Sequence, residues 1–283
     1  MNIAETNIPA LKLLASAQPL VIGHRGYCQL APENTLPSFK LALEAGADLV
    51  ELDYRDSKDG QLVVIHDAHL DRTTDSRRRW RRRRIKIETR TAAELQTLEA
   101  GSWFALNYAG TKIPLLSEAL DLIQKTCVTL IERKAGEPDA CIRLLREKDL
   151  INRVIVQSFD WEYLRAFHEQ EPKQVLGALG PPSRMAAGRK RPRIRQRLSA
   201  AWLDELGKSG AKVVVWNKQV SRQAIHLAHQ RGLKVWIYTI NSSGLAKRLL
   251  GLGVDGLITN NVRLIQRAVA SFHPPGRFPA PVM

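Results

Sequence analysis

The run Val21-Ile22-Gly23-His24-Arg25-Gly26 ends an apolar stretch in a histidine, an arginine and a glycine. None of the three suits a strand interior, so the pattern puts a titratable base and a fixed cation at the tip of a buried strand. Two further tips repeat the device with acids. Glu51 and Asp53 close the run Leu49–Asp53, and at a spacing of two residues they project from one face. The run Val128–Glu132 leads into Arg133 and Lys134, which puts Glu132 and Lys134 on one face and Arg133 on the other. Three carboxylates brought together repel one another unless a cation sits among them. Oxygen donors without a thiolate–imidazole cluster favour one divalent cation, Mg2+ or Ca2+, over structural zinc. Arg25 and Lys134 then hold an anion beside it, and His24 and His66 can exchange protons near neutral pH. A metal, two cations and two imidazoles around one cavity describe in-line phosphoryl transfer. No glycine-rich loop of the nucleotide-hydrolase type accompanies them, so ATP and GTP are not the indicated substrates.

These residues require a frame that collects strand tips. Candidate buried strands recur at Leu20–His24, Leu49–Asp53, Val128–Glu132, Val154–Gln157, Val175–Leu179, Lys212–Trp216, Val235–Thr239 and Gly256–Thr259. Between them lie helical patterns at Leu36–Glu44, Leu115–Gln124, Asp139–Glu147, Trp161–Glu169, Ala200–Ser209, Ser221–Arg231 and Ser243–Gly251. The uninterrupted alternation predicts an α/β fold, a closed (β/α)8 TIM barrel, with an open doubly wound sheet as the alternative. Functional side chains of such a barrel gather at the C-terminal ends of its strands.

Leu62–Ile65 breaks the series, because it follows Asp53 too closely for a helical crossover. The turn signal Lys58-Asp59-Gly60 lies midway and predicts a hairpin that returns His66 to the strand tips. Residues 67–113 then read as an excursion over the barrel mouth, with a helix pattern at Thr91–Glu99. Residues 1–19 form a lead-in, 20–270 one barrel domain, and 271–283 a proline-rich irregular tail.

The net charge of +15 invites a nucleic-acid reading until it is located. Residues 77–86 and 189–197 contain no acid and hold fourteen of the fifteen excess positive charges, so the body of the chain is near neutral. A mobile solvated loop, steering of anionic substrates, or contact with RNA, DNA or acidic membrane all fit such runs, with Trp80 as a stacking or interfacial group in the last case. No secretory leader or bilayer-length apolar segment is evident, and Cys28, Cys127 and Cys141 are too few for a disulfide framework. A cytoplasmic location is expected.

Taken jointly, His24-Arg25-Gly26, Ala31-Pro32-Glu33-Asn34-Thr35, Glu51-Leu52-Asp53, Lys58-Asp59-Gly60, His66-Asp67 and Arg72-Thr73-Thr74 resemble the glycerophosphodiester phosphodiesterase family. Ile113-Pro114-Leu115-Leu116, Glu132 with Lys134, Ser158-Phe159, Tyr238-Thr239-Ile240-Asn241 and Val254-Asp255-Gly256 continue the same order, so the likeness spans roughly residues 20–266. It implies a phospholipase-C-like TIM barrel that hydrolyses glycerophosphodiesters to glycerol 3-phosphate and an alcohol. Carried over by position, Glu51, Asp53 and Glu132 would bind the metal, His24 and His66 would form the acid–base pair, and Arg25 and Lys134 would hold the phosphate. Glu33 and Tyr238 would line the substrate cavity. The rival reading is a catalytically weak barrel that binds nucleic acid or acidic membrane through its arginine runs.

Three departures from the family pattern stand out: the arginine run in place of glycines after Thr74, Arg133 at a usually apolar position, and Asn260 in place of a common Asp. Other residues carry two readings each. Glu33 contacts the site or Asn34 caps the following helix; Asp67 closes the hairpin or orients His66. Trp236 shares a strand face with Tyr238 and either lines the cavity or fills the core. Cys28 beside His24 and Arg25 is a passive loop residue, or a thiol with a lowered pKa.

Overall fold

The computed structural model describes residues 9–186 and 196–272. The second arginine run lies almost wholly outside the described residues, as does the tail from residue 273. The strands are β1 (Leu20–Gly23), β2 (Leu49–Asp56), β3 (Leu62–Val64), β4 (Val128–Arg133), β5 (Ile155–Ser158), β6 (Val175–Gly180), β7 (Val213–Trp216), β8 (Lys234–Ile237) and β9 (Gly256–Thr259). Eight of them pair in parallel and close through β1–β2, while β3 joins β2 in antiparallel register, with Tyr54 opposite Val64. The barrel and the hairpin both match the sequence expectation.

Each strand alternates between two cores. On β2, Leu49 faces the barrel interior and Val50, Leu52 and Tyr54 face the helices; that parity turns Glu51 and Asp53 inward above Leu49. On β4, Val128 and Leu130 point inward and Ile131 outward, so Glu132 tops the same interior column. The register then sets Asp53 beside Glu132 and Glu132 beside Gln157. Trp236 is fully buried in the interior cluster, its ring against Gly256, which makes it core rather than cavity wall. Fully burying each such side chain contributes about 1.5–3 kcal/mol.

The helices are α1 (Pro9–Leu14), α2 (Leu36–Glu44), α3 (Ser76–Trp80), α4 (Ala92–Gln96), α5 (Leu116–Ile123), α6 (Pro138–Glu147), α7 (Trp161–Gln170), α8 (Ala200–Leu206), α9 (Arg222–Gln230), α10 (Ser243–Leu252) and α11 (Val262–Ala270). Three have no counterpart in the sequence patterns, α3 within the arginine run among them. Short α1 packs Ala10, Leu11, Leu13 and Leu14 against the barrel interior at its N-terminal end, and α11 completes the eighth strand–helix unit. Between β3 and α5 the chain builds its own small core from Val63, Ile65, Leu70, Ile85, Ile87, Leu95 and neighbours. Among the described residues, no helix is long and apolar enough to cross a membrane.

Candidate active site

The first wall of the mouth is built by a turn that only one residue type allows. Gly26 has φ +85°, and a Cβ there would lie 2.3 Å from Ser38 Oγ and 2.6 Å from the Ser38 backbone. The chain therefore folds back sharply after β1. The Arg25 amide donates to Glu51 Oε2 at 2.7 Å, and Ser38 Oγ donates to the Arg25 carbonyl at 2.8 Å. Fixed in this way, the Arg25 side chain reaches Glu33 Oε1 at 2.7 Å and Asp53 Oδ2 at 3.2 Å.

Glu51, Asp53 and Glu132 converge so that one oxygen from each lies within 4.8 Å of the others. All three are buried, and Glu51 Oε1 and Asp53 Oδ1 have no hydrogen-bond partner. Two orphaned carboxylate oxygens in a buried oxygen cluster suit a hard divalent cation. Glu51 is pushed well above its ordinary pKa by burial and by Asp53 and Glu132. Glu132 rises to about 7, from burial and the Asp53 charge against the pull of Lys134. Asp53 is pushed up by burial, but Lys134, Arg25 and His66 outweigh that and hold it below the usual carboxylate range. Lys134 Nζ bridges Glu132 and, at 3.5 Å, Asp53. Asn34 does not cap α2; it clasps Asp53, donating Nδ2 to Oδ2 at 2.8 Å and accepting the Asp53 amide at 3.1 Å.

The two histidines are held differently. Asn260 Oδ1 lies 2.7 Å from His24 Nδ1, and since an amide oxygen only accepts, Nδ1 carries the proton and Nε2 keeps its lone pair. Burial and the Arg25 charge bring His24 down to about 4, so it is neutral at pH 7. His66 Nδ1 lies 2.7 Å from Asp67 Oδ1. Asp67 in turn takes Arg72 Nε at 2.6 Å, and Arg72 also grips Glu33 through two bonds of 2.7 and 2.8 Å. Burial lowers the His66 pKa, while Asp53 and Asp67 oppose the shift. Of its two sequence readings, Asp67 thus takes the one that orients His66. Glu33 joins the site through both arginines.

His24, Arg25, Glu51, His66, Glu132, Lys134 and Tyr238 all line one cavity of about 170 Å³. Asp53 lies beneath it through Arg25 and Lys134, and Glu33 behind Arg25. Tyr238 donates to the Gly180 carbonyl at 2.7 Å and meets Phe159 edge-on at 5.8 Å.

The pattern of the glycerophosphoryl diester phosphodiesterase family matches residues 24–264. The chain belongs to that family. A glycerophosphodiester phosphodiesterase of Bacillus subtilis is 31% identical over 267 residues, covering 88% of this chain and 85% of that one. One from Caldanaerobacter subterraneus is also 31% identical, over 86% of this chain and 94% of its own. Among solved structures, an Oleispira antarctica phosphodiesterase in complex with the product sn-glycerol-3-phosphate aligns with a TM-score of 0.77 at 29% identity, over 91% of this chain and 99% of that one.

In this member of the glycerophosphoryl diester phosphodiesterase family the cavity also holds side chains that the sequence patterns do not single out. Gln157 lines the cavity beside Glu132 and is 1% exposed, with Oε1 unpartnered. Its parity with inward-facing Ile155 was the available signal. Asn260 was noted only as a departure, yet it sets the His24 tautomer. Arg133 turns outward, pairs with Asp160 at 3.1 Å and lies over the Tyr163 ring, which explains a charge in the helix layer. Cys28 is pushed up to about 12 by burial and Glu33, against the pull of Arg25, so it is no activated thiol.

Proposed function

We propose that this chain is a metal-dependent glycerophosphodiester phosphodiesterase that releases glycerol 3-phosphate and an alcohol at the cavity between His24 and His66. The observation that carries the proposal is the buried acid cluster with two orphaned oxygens, set among two cations and two imidazoles. Glu51, Asp53 and Glu132 would hold a divalent cation, Mg2+ or Ca2+, which when bound supplies Lewis-acid stabilisation of phosphoryl oxygens. Arg25 and Lys134 bind the non-bridging oxygens and neutralise charge that builds on them. Neutral His24 accepts the proton of the attacking oxygen at Nε2 as the new P–O bond forms. His66, whose imidazolium form Asp67 stabilises, delivers a proton from Nε2 to the departing alcohol oxygen as the old P–O bond breaks. With water as attacking group this proton flow gives glycerol 3-phosphate directly; with the glycerol 2-hydroxyl it gives a cyclic phosphate, which water then opens with the roles of the two histidines reversed. The cavity is below the usual 300–1,000 Å³ of ligand pockets, so it suits a phosphoglycerol unit with the alcohol directed outward.

Glycerophosphocholine and glycerophosphoethanolamine should both yield glycerol 3-phosphate, with turnover lost on chelation and restored by Mg2+ or Ca2+. Hydrolysis that survives chelation, or an Asp53→Ala variant with wild-type metal response, would overturn the proposal. Absence of any diester hydrolysis would favour the anion-binding alternative.

A further inference from the structure

The arginine run is not a loose loop: it is bolted to the insertion core. Trp80 packs against that core, and the Arg90 guanidinium lies 4.8 Å from its ring centroid. Ile85 is buried. The Arg84 amide donates to Asp71 Oδ2 at 2.7 Å, and the Ile85 carbonyl accepts from the Leu70 amide at 3.1 Å. The run therefore sits just beyond His66 and Asp67, on the mouth side of the barrel. With Trp80 and Ile85 turned inward, all of its arginines are exposed. Arg78 pairs with Asp75 and Lys86 with Glu88. Arg77, Arg79, Arg81, Arg82, Arg83 and Arg84 have no carboxylate partner among the described residues.

A second observation lies on the same side. The exposed large apolar residues among those described are Leu30, Leu36, Trp103 and Leu106, with Leu106 84% exposed. Every one belongs to the β1–α2 loop, the first residue of α2 or the mouth insertion. These pieces adjoin one another: the Tyr108 hydroxyl donates to the Leu30 carbonyl at 2.7 Å. The Asp75 amide at the start of α3 donates to the Glu99 carbonyl, and Glu99 holds the Gly101 and Ser102 amides just before Trp103.

We propose that this mouth-side surface docks the protein on an acidic lipid membrane, arginines against the headgroups and Leu106 with Trp103 in the interfacial layer. Unpaired cations beside exposed apolar side chains are the chemistry of an anionic interface. Nucleic acid fits less well. Single strands need a series of exposed aromatic faces for base stacking; Trp80 is occupied by the insertion core and Arg90, which leaves Trp103 alone among leucines that give a base nothing to stack on. The docking does not depend on the reaction proposed above, and it would set the cavity mouth toward the lipid surface.

Co-sedimentation of the full chain with phosphatidylcholine vesicles, with and without phosphatidylglycerol, tests the docking. Binding is expected only to the acidic vesicles. The quadruple variant Arg79→Gln, Arg81→Gln, Arg82→Gln, Arg83→Gln should bind at least a hundredfold more weakly, since each arginine near such a surface contributes roughly fivefold. Leu106→Ser preserves charge and should weaken binding roughly tenfold by removing one inserted side chain. Both variants should keep wild-type melting and wild-type hydrolysis of a soluble diester. No binding to acidic vesicles, or unchanged binding by the quadruple variant, would overturn the docking. Unchanged binding by Leu106→Ser would reduce the surface to a general polyanion patch. Tighter binding to single-stranded RNA than to acidic vesicles would assign it to nucleic acid instead.

Discussion

His24 and His66 face one cavity from two kinds of structure. His24 sits on the barrel rim, one residue past β1, pinned by the neutral amide of Asn260 and open to solvent only through the cavity it lines. His66 ends a hairpin that belongs to the insertion, half-exposed, pinned by a carboxylate that Arg72 anchors to Glu33. A neutral partner and deep burial keep one imidazole uncharged. An acidic partner and an opening to solvent offset part of the burial that lowers the other. In the proposed reaction the rim would supply the base, while the insertion would supply the acid together with the chain of ion pairs that aims it.

The largest effects should come from removing either ring. His24→Ala and His66→Ala should each lower kcat by about 10²–10⁴-fold on glycerophosphocholine. A diester with a nitrophenol leaving group separates them, because a good leaving group needs no acid. His66→Ala should recover most of its loss on that substrate, and His24→Ala should not. Equal recovery by both variants would break the division of labour.

Stability against pH reports the same contrast without turnover. His24 falls from 6.5 to about 4 on folding, so between those values the unfolded chain takes up a proton that the folded chain refuses. Stability is therefore lost as pH falls through that window, by about 2.5 kcal/mol near pH 4.5. His24→Asn should remove this loss, measured as the difference in unfolding free energy between pH 7 and about 4.5 from urea titrations. His66→Asn should remove less, because Asp53 and Asp67 oppose the burial that lowers His66. If both substitutions flatten the acid limb equally, the two environments are not distinct.

The rim was far easier to read from the chain than the insertion. Position at strand tips and the period of two put Glu51 and Asp53 on one face and Glu132 with Lys134 on another; both faces of these strands are apolar, so only the packing shows which face turns inward. Lys58-Asp59-Gly60 was enough to bring His66 home. The contacts that tune the histidines were less visible, since Asn260, Asp67 and Arg72 act through side-chain reach across a fold already formed. No local periodicity encodes that reach. Asn34 misled for the same reason: its place before a helix suggested a cap, yet a left-handed backbone at φ +57° turns it onto Asp53. The arginine run suggested solvation by composition, whereas Trp80 and Ile85 inside it were the signal of an anchored segment.

A smaller change tests whether the insertion positions His66 or merely covers it. Arg72 touches no part of the cavity; it spans Glu33 and Asp67, and Asp67 holds the His66 ring. Arg72→Lys keeps the charge but gives up the planar fork, so it cannot bind both carboxylates in the same geometry. It should lower kcat roughly tenfold to a hundredfold, as loss of a residue that orients a catalytic ligand commonly does, with KM nearly unchanged. The loss should be confined to the natural diester. A structural role predicts an equal deficit on the nitrophenyl diester and a lower melting temperature. An aiming role predicts recovery on that substrate with wild-type melting, because the misdirected proton is one that the leaving group no longer needs.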